Sequence, residues 1–157
     1  MKKHWLILIG ILFGVFDFYY QEMIQGLPVS NIVRLAVIFG IWLVPAIPVV
    51  LYEAKATRSP FKSALANVLT WSVAILSYYL YLAVKLIFIG QSTRPELYFA
   101  NYQDAYYWSN LQSLFFGDVL YGIGEWIGVA LLGGFLTGYL IGLIYLHIGK
   151  PVDKQSL

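Results

Sequence analysis

The sequence predicts an all-α integral membrane protein. Four transmembrane helices are expected, with both termini cytoplasmic and a short interfacial helix in the outer loop between helices three and four. Three observations lead there. Only 11% of the 157 residues are charged and 60% are hydrophobic, with a mean hydropathy of +0.72. A soluble domain carries about 25% charged residues, so this chain has too few charges to cover a water-facing surface. The apolar residues are gathered into four runs, roughly residues 5–23, 32–52, 61–89 and 114–147. Each is long enough for the ~20 residues that a spanning helix needs. Lastly, with four spans, both termini and the loop at 53–60 share one side, and seven of the ten basic residues fall there: Lys2, Lys3, Lys55, Arg58, Lys62, Lys150 and Lys154. The positive-inside rule makes that side the cytoplasm. No repeat or low-complexity linker divides the chain, and residues 1–157 are expected to form one four-helix domain.

The first helix begins "MKKHWLILIGILFGVF". A basic start before an apolar run resembles a signal peptide, but "DFYYQEM" follows in place of a small-x-small cleavage site, so a retained helix is expected. Asp17 lies twelve residues beyond Trp5, which is ~18 Å into a ~30 Å hydrocarbon core. A carboxylate at that depth calls for a partner or a proton. The turn "QGLPVSN" leads to helix two, with Ser30 or Asn31 as its cap. Asp17 and Arg34 flank the turn at Gly26 almost symmetrically, and an ion pair between them is expected, fixing the hairpin.

Helix two contains "VPAIP". Pro45 and Pro48 each remove a donor and disturb the carbonyl one turn back, predicting a kink toward the cytoplasmic half. Pro60 suits the first turn of helix three. The connection at 90–113 opens with Thr93 and Glu96 at capping-box spacing. Tyr98, Tyr102 and Tyr106 then recur every four residues and, with Trp108, predict an aromatic surface at the outer headgroups. Ten tyrosines fall in the outer half of the chain and three in the inner half, and most acids are also outside. The outer half is therefore the polar end of the bundle.

The fourth apolar run contains "GDVLYGIGEWIGVALLGGFLTGYLIGL". Asp118 and Glu125 are seven residues apart and share a helical face. Lys85 is a possible counter-charge for either. The run is too long for the core, so Asp118 is expected in water and Glu125 at the outer boundary, facing the bundle near Lys85. The competing expectation breaks the helix at Gly117 or at Gly122–Gly124 and sets both acids in a vestibule for cations or protons. Gly134, Gly138 and Gly142 repeat every four residues, Gly124 and Gly128 extend the stripe upward, and Gly10 and Gly14 repeat it on helix one. Such stripes let helices approach closely in lipid. The partner is helix one, a second copy or another subunit.

Several chemistries lack their residues. There is no cysteine and no HxxE or HExxH spacing, so no metal site is expected. His4 and His147 lie near the cytoplasmic surface, and nothing else supports a haem; no cofactor is expected. No catalytic residue is assigned, since no serine–histidine pair can form and no second group stands in fixed relation to a carboxylate. That disfavours a lipid-modifying enzyme using Asp104, Asp118 or Glu125. A net charge of +2 with scattered basic residues gives no nucleic-acid surface. The expected function is a non-catalytic subunit or helper of the plasma membrane, homo-oligomeric or part of a larger complex, binding its partner through glycine faces and outer aromatics. The alternative is a small oligomeric ion or solute transporter using Asp17, Arg34, Lys85, Asp118 and Glu125.

Overall fold

The computed structural model describes residues 3–89 and 105–148, and every regular element among them is helical. The elements are α1 (Lys3–Gln25), α2 (Asn31–Gly40), α3 (Leu43–Thr57), α4 (Pro60–Ile89), α5 (Tyr107–Leu114), a π-helical segment (Phe115–Leu120) and α6 (Tyr121–Ile148). They make four helices long and apolar enough to cross a membrane: His4–Gln25, Asn31–Thr57, Pro60–Lys85 and Tyr107–Ile148. Of the outer connection, Thr93, Glu96, Tyr98, Tyr102 and Asp104 lie outside the described residues, as do Lys2, Arg94, Lys150 and Lys154.

The boundaries follow the expected local chemistry. Ser30 caps α2, its Oγ accepting from the Val33 amide at 3.4 Å. α3 ends where Arg58 turns left-handed, φ 52° and ψ 30°, its N–H returning to the Ala54 carbonyl. Ser59 Oγ then accepts from the Lys62 amide, and Pro60 opens α4, where a missing N–H is harmless. The second span breaks at Ile41–Trp42, one turn before Pro45. Pro45 has no N–H to offer the Ile41 carbonyl, which accepts from Val44 instead at 2.9 Å. The Trp42 amide closes a similar short turn onto Phe39. Pro48 sits inside α3.

α4 is the hub. α1 lies along one side of it and α6 along another, while α3 packs against both α4 and α6. Small residues make this possible. A Cβ at Gly10 would lie 2.8 Å from the Thr70 carbonyl oxygen, and one at Gly14 would lie 2.2 Å from that of Ala74. On the opposite flank a Cβ at Gly138 would meet the Ala64 Cα at 2.9 Å, and one at Gly142 would meet the Ser63 Cβ at 3.2 Å. Both lower glycine stripes are therefore used inside the chain, and their partner is α4 rather than helix one. Asn67 ties the seam, its Nδ2 donating to the Gly134 carbonyl at 2.8 Å. Gly124 and Gly128 differ: nothing stands within 4 Å of a Cβ at either.

α1 and α4 run parallel in one register. Gly10 meets Val73, Gly14 meets Ser77 and Glu22 meets Lys85, each pair 63 residues apart. α6 runs antiparallel to α4, its partners rising from Gly122 to Gly142 as those on α4 fall from Tyr79 to Ser63. The fourth span does not break at its upper glycines. It absorbs Gly117 in the π turn, across which the buried positions step from Leu114 to Val119. Below, they recur every four residues at Ala130, Gly134, Gly138 and Gly142. The wider π turn thus keeps one face on α4 through a change of helical phase.

Candidate functional site

The end of the bundle that holds the α1–α2 turn contains a cavity of about 340 Å³. Its polar wall comes from α1, where Asp17, Gln21 and Gln25 recur every four residues on one face. Its apolar wall is largely aromatic. Phe39 and Trp42 come from α2 and the break below it, Tyr78 and Tyr79 from α4, and Trp126 from α6. Leu35, Ile38 and Ile75 fill between the rings. The mouth residues Gln25, Leu35 and Phe39 are exposed, whereas Asp17, Ile75 and Tyr78 at the floor are buried. Beneath the floor the rings of Trp42 and Trp71 meet edge-on, 5.1 Å between centroids.

Asp17 is the focus. It is 1% exposed. Its Oδ2 accepts from Gln21 Nε2 at 2.8 Å, and Gln21 Oε1 in turn accepts from the Tyr78 hydroxyl at 3.5 Å. Its Oδ1 has no partner among the described residues. Buried polar oxygens are nearly always paired, and an exception needs a reason.

The expected Asp17–Arg34 pair does not form. Asp17 bonds along α1 to Gln21, while Arg34 sits in the first turn of α2 and its Nη2 reaches back to the Leu27 carbonyl at 3.3 Å. Equal distance from the turn matched their depth, but helical phase separated them. Lys85 is not the counter-charge of Asp118 or Glu125 either. Its Nζ donates to both carboxylate oxygens of Glu22, at 3.0 and 3.1 Å, with both side chains largely shielded. The ammonium also lies 4.7 Å from the Phe18 ring centroid and 5.4 Å from that of Tyr19, close enough for cation–π attraction. The Tyr19 and Tyr81 hydroxyls bond one another just inside this pair. Asp118 and Glu125 are both exposed. Glu125 does not face the cavity; its neighbour Trp126 does. Of the aromatic surface, Tyr106 and Trp108 are exposed, while Tyr107 between them is buried.

The Glu22–Lys85 assignment predicts a measurable coupling. Glu22→Gln and Lys85→Met should each lower the thermal unfolding midpoint in detergent, and the double variant should lose less than the sum. Asp17→Asn and Arg34→Gln should combine additively. Additive losses for Glu22 and Lys85 would mean that their contact contributes nothing.

Gln21, Trp42, Tyr78, Tyr79 and Trp126 are site residues that the sequence reading passed over. A signal was present for the glutamine: Asp17, Gln21 and Gln25 are polar residues at four-residue spacing near the end of an apolar helix. The aromatics carried no such signal, because an aromatic in a membrane chain is ordinarily belt or core.

Comparison with known protein families, curated proteins and solved structures finds no match. The class therefore rests on the fold and the cavity: a bundle of four helices long and apolar enough to cross a membrane, with an acid-floored, aromatic-walled pocket between them.

Proposed function

We propose that this chain is a small plasma-membrane protein that binds and carries a solute. Both termini would be cytoplasmic and the cavity would open to the outside. One observation supports this most: the buried Asp17 carboxylate, with Oδ1 unpartnered, lines a cavity of about 340 Å³. Small-molecule sites are concave, mostly apolar, and carry a few convergent polar groups, at volumes from about 300 Å³ upward. An acid inside a membrane bundle faces a partner or a water-filled path, and among the described residues no basic side chain meets it.

α2 supplies a movable wall. None of its ten residues is buried, and it is bounded by the 26–30 turn and the Ile41–Trp42 break. A wall held by so few contacts is drawn from the low-stability end of a structure. Swinging about the break would open or close the cavity against Trp126 without disturbing the α1–α4–α6 core. The helper reading keeps one favourable observation, the open face at Gly124 and Gly128, which suits a second copy or another subunit.

The absence of cysteine makes the test clean. Gln21→Cys and Gln25→Cys should react with a membrane-impermeant thiol reagent added outside intact cells. Ala56→Cys, in the last turn of α3, should react only after permeabilisation. An unreactive Gln21→Cys would mean a sealed cavity and would return the helper reading to first place. Reversed sidedness would overturn the orientation.

A further inference from the structure

We propose that the cavity selects a compact organic cation, an alkyl- or arylammonium bearing at least one N–H; this rests on the solute-binding reading above. Charge comes first. Among the described residues lining the cavity, Asp17 alone carries a carboxylate, and none carries an ammonium, guanidinium or imidazole. Beyond the lining, Lys85 is paired with Glu22, while Arg34 donates to the Leu27 carbonyl and keeps its charge. Asp17 is therefore the one formally charged side chain among the described lining residues, which favours a cation over an anion.

Hydrogen bonding comes second. Gln21 takes Oδ2, and Oδ1 is buried without a partner among the described residues, on a side chain that lines the cavity and would present it by a small rotation. A ligand N–H⁺ donating to Oδ1 completes that carboxylate with a charge-assisted bond, the stronger kind. It also removes the burial penalty of an unpaired acceptor. The walls come third. Phe39, Trp42, Tyr78, Tyr79 and Trp126 bring five ring systems to the cavity, and aromatic faces attract cations, tryptophan most strongly. A desolvated ammonium thus gains from the rings as well as from the acid.

A bare metal ion fits poorly. No group of three or more His, Asp or Glu side chains gathers among the described residues. Hard cations take six or more oxygen ligands at short distance, and a cavity this wide and aromatic does not supply them. An uncharged apolar solute would leave Oδ1 unpaired.

Benzylammonium is a suitable probe, with benzyl alcohol as its uncharged counterpart and benzoate as the anion. Trp42 and Trp126 line the cavity, so saturable quenching of tryptophan fluorescence in the purified, detergent-solubilised protein reports occupancy. Benzylammonium should bind about tenfold or more tighter than benzyl alcohol, and benzoate should not bind. Asp17→Asn should erase the preference for the cation. Trp126→Leu should weaken benzylammonium several-fold with the acid intact. If Asp17→Asn does not yield folded protein, the comparison of the three probes on the unaltered chain still decides. Equal binding of cation and alcohol, or no saturable quenching by benzylammonium, would overturn the inference. With Gln21→Cys reactive from outside, that result removes the cation and leaves the solute cavity standing; with Gln21→Cys unreactive, both fall.

Discussion

Gly14→Ala should leave little correctly folded protein, although it adds one methyl group. The new Cβ would lie 2.2 Å from the Ala74 carbonyl oxygen and 2.8 Å from the Ser77 Cβ. A Cβ has no rotamer, and the oxygen it strikes belongs to the backbone of α4. Neither side can yield locally, so α1 must lift away. Lifting α1 strains every contact in the same register: Gly10 on Thr70, the Tyr19–Tyr81 hydroxyl pair, and the Glu22–Lys85 bridge. Overpacking a well-fitted core typically costs about 1–3 kcal/mol, occasionally more, and a rigid backbone obstacle belongs at the upper end. Gly138→Leu should be comparably severe, because the Ala64 Cα stands 2.9 Å from its Cβ position. The control is Gly128→Ala, where nothing stands within 4 Å. Its effect should be neutral or stabilising by up to about 1 kcal/mol, since alanine is the better helix former and nothing obstructs the new Cβ. Unfolding midpoints and the yield of monodisperse protein in detergent measure all three. A Gly128→Ala variant as damaged as Gly14→Ala would mean that the upper glycines of α6 are occupied by a partner, and the helper reading would gain.

The glycine stripes also show how much of this fold the sequence carries and where it falls silent. Four apolar runs, the capping serine before α2 and the proline opening α4 follow from local chemistry and are present; the proline kink, expected toward the cytoplasmic half of the second span, falls instead at Ile41–Trp42, before the middle of that span. A four-residue glycine repeat announces a close helix contact but does not name the partner. The missing fact was that α4 carries small residues on two flanks, Ser63 and Ala64 on one and Ala74 and Ser77 on the other, so that both stripes end on the same helix. Once α1 and α4 are set parallel with Gly14 at Ser77, Glu22 falls opposite Lys85 with no further assumption. Asp17–Arg34 failed for a related reason. Depth along a hairpin follows from counting residues, but the direction of each side chain depends on how the helices rotate to bury their glycines. Glu125 failed similarly: it was expected to face the cavity near Lys85, and its neighbour Trp126 lines the cavity instead, while Asp118, expected in water, is exposed. The cavity was legible only in part. Its acid was singled out in the sequence, whereas its walls are aromatics drawn from three separate helices.

Asp17→Leu should raise the thermal stability of the protein while removing its preference for cations. The direction follows from three terms. Oδ1 is buried with no partner among the described residues, and an unsatisfied buried polar group costs about 1–3 kcal/mol. Replacing a buried charge with an apolar residue of similar bulk is often neutral or stabilising by about 1–4 kcal/mol. Aspartate is also a poorer helix former than leucine, by a few tenths of a kcal/mol. Against these stands the 2.8 Å bond from Gln21, worth about 1 kcal/mol net; Gln21 is only half-buried and can turn to water. The cavity beside Asp17 gives the extra methyl groups room, so overpacking does not cancel the gain. The unfolding midpoint in detergent should therefore move upward by several degrees. A fall would show that the carboxylate holds the bundle together through a bridging water, and Asp17 would then be a structural residue. A rise with binding of benzylammonium lost would mark it as a residue kept for what it binds, since local conflicts of this kind are expected at functional sites and not in a packing core.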